Sequence, residues 1–374
     1  MKKFFTVYDR YIFTQVLTTT FVAILLFTIV WIAPEMLLNT IKKILEGAYT
    51  VKTGVLVLIY ELPKILGKAF PVGLLLGSLF TFDKLSKDSE LTIFRAVGMS
   101  FSRILRPLLI LSLIVTYLCF LTYDKWIPYS CQKLNEIKGG QPLTQYIYTK
   151  KDKNNHPDKA VIVSMFHKDV MSDVIVMNFS KEVFSDLHAV SNILVGKTGK
   201  YEVKDDGNKY WCLYNVTSYD IDSNGIFHKI SNKDKEYVLE GSEAEDAYTI
   251  MVNSTKRDRD ITNKDLHRYI TLLKRENLDE DYRLMLNKYY QRYLHPFVCV
   301  LLAILGCLLG FSKPREQRLI GFTIAIGCIF LYYITLPFFD LLAEKGVLIP
   351  FITASFPPFA FLCAIIGFYK SKDL

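Results

Sequence analysis

Few side chains in this sequence are spaced for chemistry. Gly196-Lys197-Thr198 has the ending of a phosphate loop, where backbone N–H groups cradle phosphates and the lysine reaches the outer ones. The full pattern needs a glycine five residues earlier, where Ser191 stands, and a helix afterwards; a β-rich stretch follows instead. The triplet reads as coincidence. Asn-x-Ser/Thr triplets at Asn178, Asn215 and Asn253 say little by themselves. There is no nucleophile elbow, no His-Glu-x-x-His and no pair of carboxylates inside an apolar run. The six histidines lack metal-ligand spacing to one another or to cysteine. The expected class is therefore not an enzyme, with no cofactor or metal in this chain, and any work it performs must be fuelled by a partner.

Two groups of residues point to binding instead. The segment "KLSKDSELTIFRAVGMS", residues 84–100, is charged and short. Asp88 or Ser89 can cap a helix there, and Glu90 falls in the first turn, where the helix dipole favours an acid. Leu91, Phe94 and Val97 share a face at helical spacing, Arg95 points elsewhere, and Gly98 can end the helix. Such a helix either rests on a bilayer surface or fits a groove in a partner and passes that partner's motion into the flanking segments. The second group is basic: Lys42, Lys43, Lys64 and Lys68. These lysines either anchor their segments by snorkelling or contact phosphate and carboxylate groups of a lipid headgroup. Arg292 and His295, at the start of the fourth apolar run, either face a lipid-accepting cavity together with these lysines or lie in the headgroup region.

The elements that must position these residues are mostly membrane spans. A bilayer core needs about 20 apolar residues per helix, and six runs meet or approach that, at roughly 12–33, 54–82, 104–123, 293–311, 319–340 and 347–369. The first is long enough to stay as a span and has no signal-peptide cleavage pattern. Pro63 and Pro71 are expected to kink the second. Basic residues in the short loops set orientation. With the N-terminus inside, the inner side holds thirteen: Lys2, Lys3, Arg10, Lys84, Lys87, Arg95, Arg103, Arg106, Lys313, Arg315, Arg318, Lys370 and Lys372. The short outer loops hold four: Lys42, Lys43, Lys52 and Lys345. Both termini are thus expected inside and the polar middle outside. Much of the formal charge of +8 is then topological, which argues against nucleic acid.

The polar middle reads as all-β. "QYIYT", "KAVIVSMF", "DVIVMNF", "HAVSNILV", "KYEV", "KYWCLYNVTSYDI" and "IFHKI" are short β-branched and aromatic runs. Asp205-Asp206-Gly207 and Asp222-Ser223-Asn224-Gly225 read as turns. A sandwich or jelly roll follows, with Tyr146, Phe166, Phe179, Tyr201, Trp211 and Tyr219 as core. Thr262 can cap a helix that Asn277 ends, and another from about Asp279 runs into the fourth span. Cys119, Cys299, Cys307, Cys328 and Cys363 sit in apolar runs as small hydrophobes, while Cys131 and Cys212 in the polar middle pair only in an oxidising compartment. The fold class is a membrane protein, α plus β, with six transmembrane helices in a three-plus-three arrangement around an inserted β domain.

Three stretches resemble the LptF/LptG permease family of lipopolysaccharide-export ABC transporters. They are "FPVGLLLGSLFTFDKLSKDSELTIFRAVGMSFSRI" at 70–104, "GKYEVKDDGNKYWCLYNVTSYDIDSNG" at 199–225, and "HPFVCVLLAILGCLLGFSKPREQRLIGFTIAIGCIFLYYI" at 295–334, with "GVLIPFITASFPPFAFL" after it. The resemblance implies a coupling helix at 84–100 that docks on a cytoplasmic ATPase subunit through Ser89, Glu90, Leu91, Phe94, Arg95 and Gly98, with Glu90 at the family's acidic position. It implies transmembrane helices 1–3 within 1–123, a periplasmic β-jelly-roll domain at 124–261, and connecting helices with transmembrane helices 4–6 at 262–374. It favours Lys42 and Lys43 over Lys64 and Lys68 as lipid contacts. The implied partners are an ATPase dimer, a second permease chain (self or paralogue), a periplasmic jelly-roll bridge and lipopolysaccharide or a similar lipid, in the bacterial inner membrane with both termini cytoplasmic. The competing readings are a permease of another ABC export system and a membrane sensor with a periplasmic ligand-binding sandwich.

Overall fold

The computed structural model describes residues 6–32, 36–137, 143–151, 156–167, 170–180, 189–203, 208–221, 226–254, 256, 258–311 and 319–371. In chain order the first helices are α1 (Val7–Ile32), α2 (Leu38–Leu45), α3 (Val51–Lys87), α4 (Glu90–Ala96), α5 (Phe101–Leu121) and α6 (Ile127–Ile137). Six strands follow: β1 (Leu143–Lys151), β2 (Pro157–His167), β3 (Val170–Ser180), β4 (Ala189–Val203), β5 (Lys209–Ile221) and β6 (Phe227–Glu240). The chain then forms α7 (Gly241–Ser254), α8 (Asn263–Arg275), α9 (Asp279–Gly310), α10 (Leu319–Glu344) and α11 (Pro350–Ser371). It divides into two compact units, Met1–Leu134 with Arg283–Leu374, and Asn135–Tyr282.

In the helical unit, six helices are long and apolar enough to cross a membrane: Val7–Ile32, Val51–Lys87, Phe101–Ile137, Asp279–Gly310, Ile320–Glu344 and Pro350–Lys370. Each coincides with one of the expected apolar runs. α3 is the axis of the unit. One of its faces enters a cluster with Ile12 and Val16 of α1, Leu91 of α4, Ile104 and Leu108 of α5, and Ala303 of α9. Leu75 and Leu79 enter a second cluster with Leu302 of α9, Ala325 and Tyr332 of α10, and Phe361 of α11. Pro63 and Pro71 lie inside an unbroken α3. Glycines at spacing four let helix backbones meet, as small residues do where no water-driven force presses helices together. A Cβ on Gly77 would lie 2.6 Å from the Cα of Thr20 in α1, and one on Gly306 of α9 would overlap the carbonyl oxygen of Leu75.

The sheet is a single antiparallel meander in the order β1-β2-β3-β4-β5-β6. It fits the jelly-roll type of domain expected from the sequence, with six strands where seven runs were read. "HAVSNILV" and "KYEV" are one strand, β4, and Gly196-Lys197-Thr198 lies in its middle, paired on both sides with no helix after it. Gly196 and Gly199 leave room for Leu213, which would stand 3.0 Å from a Cβ at either. The sheet is strongly rolled. Four inter-strand steps separate β2 from β6, about 19 Å if flat, yet Lys159 Nζ of β2 donates to the Val238 carbonyl of β6 at 3.0 Å. α7 helps close the roll: Glu243 pairs with Lys150 of β1 at 2.7 Å, and Glu245 with Lys209 of β5 at 2.6 Å.

The polar middle is not all-β. The third apolar run continues through a π turn at Thr122–Trp126 into α6, and α7 lies within the 124–261 stretch expected as a β domain. Ala244, Ala247, Ile250 and Met251 are the buried residues of α7, at helical spacing. α8 begins where expected, with the Thr262 hydroxyl accepting from Asp265 N–H, and ends at Asn277, whose φ is +56°. Trp211 is fully packed at 2% exposure, while Phe179, Tyr201 and Tyr219 are half-buried. The side chains of Tyr146 and Phe166 lie outside the described residues, as do both Asp-rich turns and Lys2, Lys3, Lys313, Arg315, Arg318 and Lys372. Cys131 is buried on α6 and Cys212 on β5.

Candidate functional site

The segment 84–100 forms a short helix between two sharp reversals. α3 ends at Asp88, and Ser89 sits in the left-handed region at φ +60°, so α4 leaves in a new direction. Ser89 is the N-cap residue by position, but its side chain makes no capping hydrogen bond. At the other end Gly98 adopts φ +82°. Gly98 N–H donates to the Arg95 carbonyl at 2.9 Å and Met99 N–H to the Phe94 carbonyl at 3.1 Å. This pair of bonds satisfies the last carbonyls and favours glycine at the reversal.

The apolar residues of α4 divide between two directions. Leu91 is buried at 3% exposure in the cluster with α1, α3 and α5, and Phe94 packs against that cluster. The Phe94 ring meets the Tyr8 ring of α1 edge-on at 4.6 Å. Val97, expected on the same ridge, is 74% exposed. Ile93 and Val97 are exposed on the side away from Leu91, and Arg95 is exposed on the flank beside it. Glu90 Oε1 accepts from the Tyr11 hydroxyl at 2.9 Å. Thus Leu91 and Phe94 fasten α4 to its own chain, while Ile93 and Val97 on the opposite side and Arg95 on the flank stay exposed.

The four lysines fall into two pairs. Lys42 and Lys43 are on α2, which folds over the start of α3 where Thr40 and Ile44 cover Gly54. Lys42 is exposed and lies 3.9 Å from Glu46; Lys43 lies over the Tyr49 ring at 5.2 Å. Lys64 and Lys68 are one turn apart on α3, and Lys64 is ten residues, roughly 15 Å of helix, beyond Gly54. Lys64 pairs with Glu61 at 3.6 Å, and Lys68 lies over the Trp31 ring at 4.9 Å. Arg292 is buried, and His295 Nδ1 is hydrogen-bonded to the Tyr332 hydroxyl, with its ring stacked on that tyrosine.

Sequence reasoning missed a polar knot in the helical unit. Asp340 of α10 accepts from Asn287 and Gln291 of α9, each at 2.8 Å, and from Lys288. The Thr353 hydroxyl of α11 donates to Asn287 Oδ1 at 2.9 Å. The signal was present: Asp340 is the carboxylate in an otherwise apolar run, and a charge there needs a partner. Also missed were Tyr8 and Tyr11, which nothing in the sequence links to residues some eighty positions away.

On the sheet, apolar and polar rows share a face. Val161, Val176 and Leu194 pair across β2, β3 and β4, and all are buried. The neighbouring row is polar: Asn178 Nδ2 donates to Asn192 Oδ1 at 3.3 Å, and Asn192 Nδ2 to Ser218 Oγ at 2.9 Å and to Asp220. A cavity of about 330 Å³ opens there, lined by Lys159, Asn178, Asn192, Ser218 and Asp220 among others. Burial pushes the Lys159 ammonium down from its ordinary value.

Six helices of membrane-crossing length and a six-strand antiparallel sheet inserted among them define a polytopic membrane protein with a β domain. The family model described as lipopolysaccharide export system permease LptF/LptG matches residues 10–371, and the chain belongs to that family. It is a multi-pass inner-membrane protein, a permease of the lipopolysaccharide export system, and its family works in an ABC-type complex with other subunits. No curated protein matches the chain.

Proposed function

We propose that this chain is the permease subunit that draws lipopolysaccharide, or a related lipid, from the outer leaflet of the inner membrane and passes it to a periplasmic jelly-roll bridge. A separate cytoplasmic ATPase dimer supplies the energy by docking on α4, and a second permease chain (self or paralogue) completes the cavity. In this reading all six helices cross the membrane, three before the sheet and three after; both termini are cytoplasmic and the sheet is periplasmic. The observation that carries it is the division of α4: Leu91 and Phe94 anchor inward while Ile93, Arg95 and Val97 stay exposed. A partner that grips the exposed side pulls on a helix already fixed to the core.

Each methylene moved from lipid to water costs about 0.8 kcal/mol, so a many-chained lipid exposed bare would cost roughly tens of kcal/mol. The valine rows of the rolled sheet supply an apolar surface for the chains, and ATP-driven closure then needs only to bias transfer between sheltered places. Lys42 and Lys43, exposed on α2, are the cations for headgroup phosphates, and Lys64 and Lys68 the second pair. The test is co-purification of the tagged chain with a stoichiometric ATPase, and its loss in Glu90→Lys. Photo-crosslinkers at Val176 and Leu194 should capture lipid only when ATP is supplied. Capture independent of ATP, or none, would overturn the reading.

A further inference from the structure

Tyr8 and Tyr11 are neighbours on one face of α1, and Glu90 and Phe94 are neighbours on one face of α4. The Tyr8 ring stands edge-on to Phe94 at 4.6 Å and 80°, and the Tyr11 hydroxyl donates to Glu90 Oε1 at 2.9 Å. Two successive rungs therefore join the helices, and Ile12 and Leu91 share the core beneath them. This end of α1 is itself held. Thr6 N–H and hydroxyl donate to Asp9 Oδ2 at 2.9 and 2.8 Å, and Arg103 of α5 lies 3.7 Å from the same oxygen. Further along, α1 meets α3 backbone to backbone at Gly77, and the Thr19 hydroxyl bonds the Gly77 carbonyl at 3.1 Å. If α4 drove α3 alone, the α1–α3 contact would have to shear, and at that separation neither helix can slide without overlap.

We propose that the near end of α1 is the second arm of the lever: Tyr8 and Tyr11 are positioning residues that fix α4 to α1, so that α4, α1 and α3 move as one body. The inference rests on the reading that α4 receives the partner's motion. It gives Glu90 two tasks. One carboxylate oxygen is held by the phenol, and the other is the one a partner's cation takes.

The test uses the complete transporter with its ATPase, reconstituted in vesicles loaded with lipopolysaccharide, with ATP hydrolysis and lipid release both measured. In the double variant Tyr8→Leu/Tyr11→Phe, the ATPase should remain bound and hydrolysis should stay within about twofold, while lipid released per ATP falls about tenfold. Release per ATP at the parent value, or hydrolysis and release falling in proportion, would overturn the inference. A second variant guards against misfolding. Tyr8→Cys/Phe94→Cys lacks the aromatic rung and should release less lipid per ATP than the parent, and joining the two thiols with a short crosslinker should restore release toward the parent value; a further loss of release, or no recovery, on crosslinking would overturn the inference. If the unmodified chain binds no nucleotide-hydrolysing partner, the reading of α4 falls and takes this inference with it. A bound ATPase with an unchanged ratio sinks the inference alone.

Discussion

α3 and α10 are both apolar and long enough to span a membrane, yet 78% of the most apolar stretch of α3 is buried inside the chain against 17% of that of α10. α3 carries close-packed glycine contacts on two sides, to α1 and to α9. A Cβ on Gly327 of α10 would meet nothing within 4 Å. Hydropathy is blind to this difference, because lipid accepts the same side chains as a protein core. What separates the two helices is shape: the distribution of small residues, and what stands opposite them. α3 is the packed axis of the helical unit, whereas α10 meets the unit along one stripe, at Gly321 against the Leu309 carbonyl, at Ala325 and Tyr332 in the second cluster, and at Asp340.

That contrast is broken most directly at the glycines. Gly77→Leu should prevent recovery of folded protein, since the obstacle is the backbone of Thr20 and overpacking of even yielding sites costs about 1–3 kcal/mol. Gly327→Leu should leave yield and melting in detergent unchanged; equal damage from both would refute the axis assignment. Next in size, Asp340→Ala strands Lys288 and the amides of Asn287 and Gln291, and should cost roughly 3 kcal/mol. The loss should register as earlier unfolding of α9–α11 in hydrogen exchange, with α1 and α3 little affected.

In the sheet a smaller cost is expected. Gly199→Ala meets the side-chain ends of Leu213 and Val174 at 3.0 and 3.3 Å, which can give way, and the Met171 Cβ only at 3.4 Å, so about 1 kcal/mol is expected in a chemical melt of the full chain. A loss matching that of Gly77→Leu would mean that the sheet is as rigidly closed as the helical axis. The smallest effect concerns pH. Hydrogen bonds from Tyr214 and Lys235 hold the Glu202 carboxyl below its usual range. A depressed carboxyl stabilises the fold above its unfolded value, about 4.3, and that contribution is lost as pH falls through the folded value. Exchange protection of β4–β6, corrected for intrinsic rates, should therefore weaken modestly below about pH 4, and Glu202→Gln should flatten that dependence without touching the helices.

Much of this was legible beforehand. The six spans could be read because a bilayer demands long apolar runs, and the residues of β5 could be read as a run bounded by turn signals. The start of α8 was legible in Thr262 because a cap is local chemistry. α7 was missed because a short amphipathic helix beside a strand-rich stretch offers only four buried positions, Ala244, Ala247, Ile250 and Met251, two of them small. At the site, a helix starting at Asp88 or Ser89 and ended by Gly98 was legible, but the shared face of Leu91, Phe94 and Val97 was not borne out, since Val97 is exposed. Leu91 and Phe94 differ from Ile93 and Val97 in what packs on them, not in hydrophobicity.

The sequence alone determined the spans, the inserted β domain and the Thr262 cap, since each depends on residues close together in the chain. Only the tertiary structure decided which span is the axis, that the sheet rolls far enough for Lys159 to reach β6, that Asp340 gathers three donors, and that Tyr8 and Tyr11 hold α4. Those outcomes depend on contacts between distant positions, where packing geometry chooses among side chains that are equivalent in polarity.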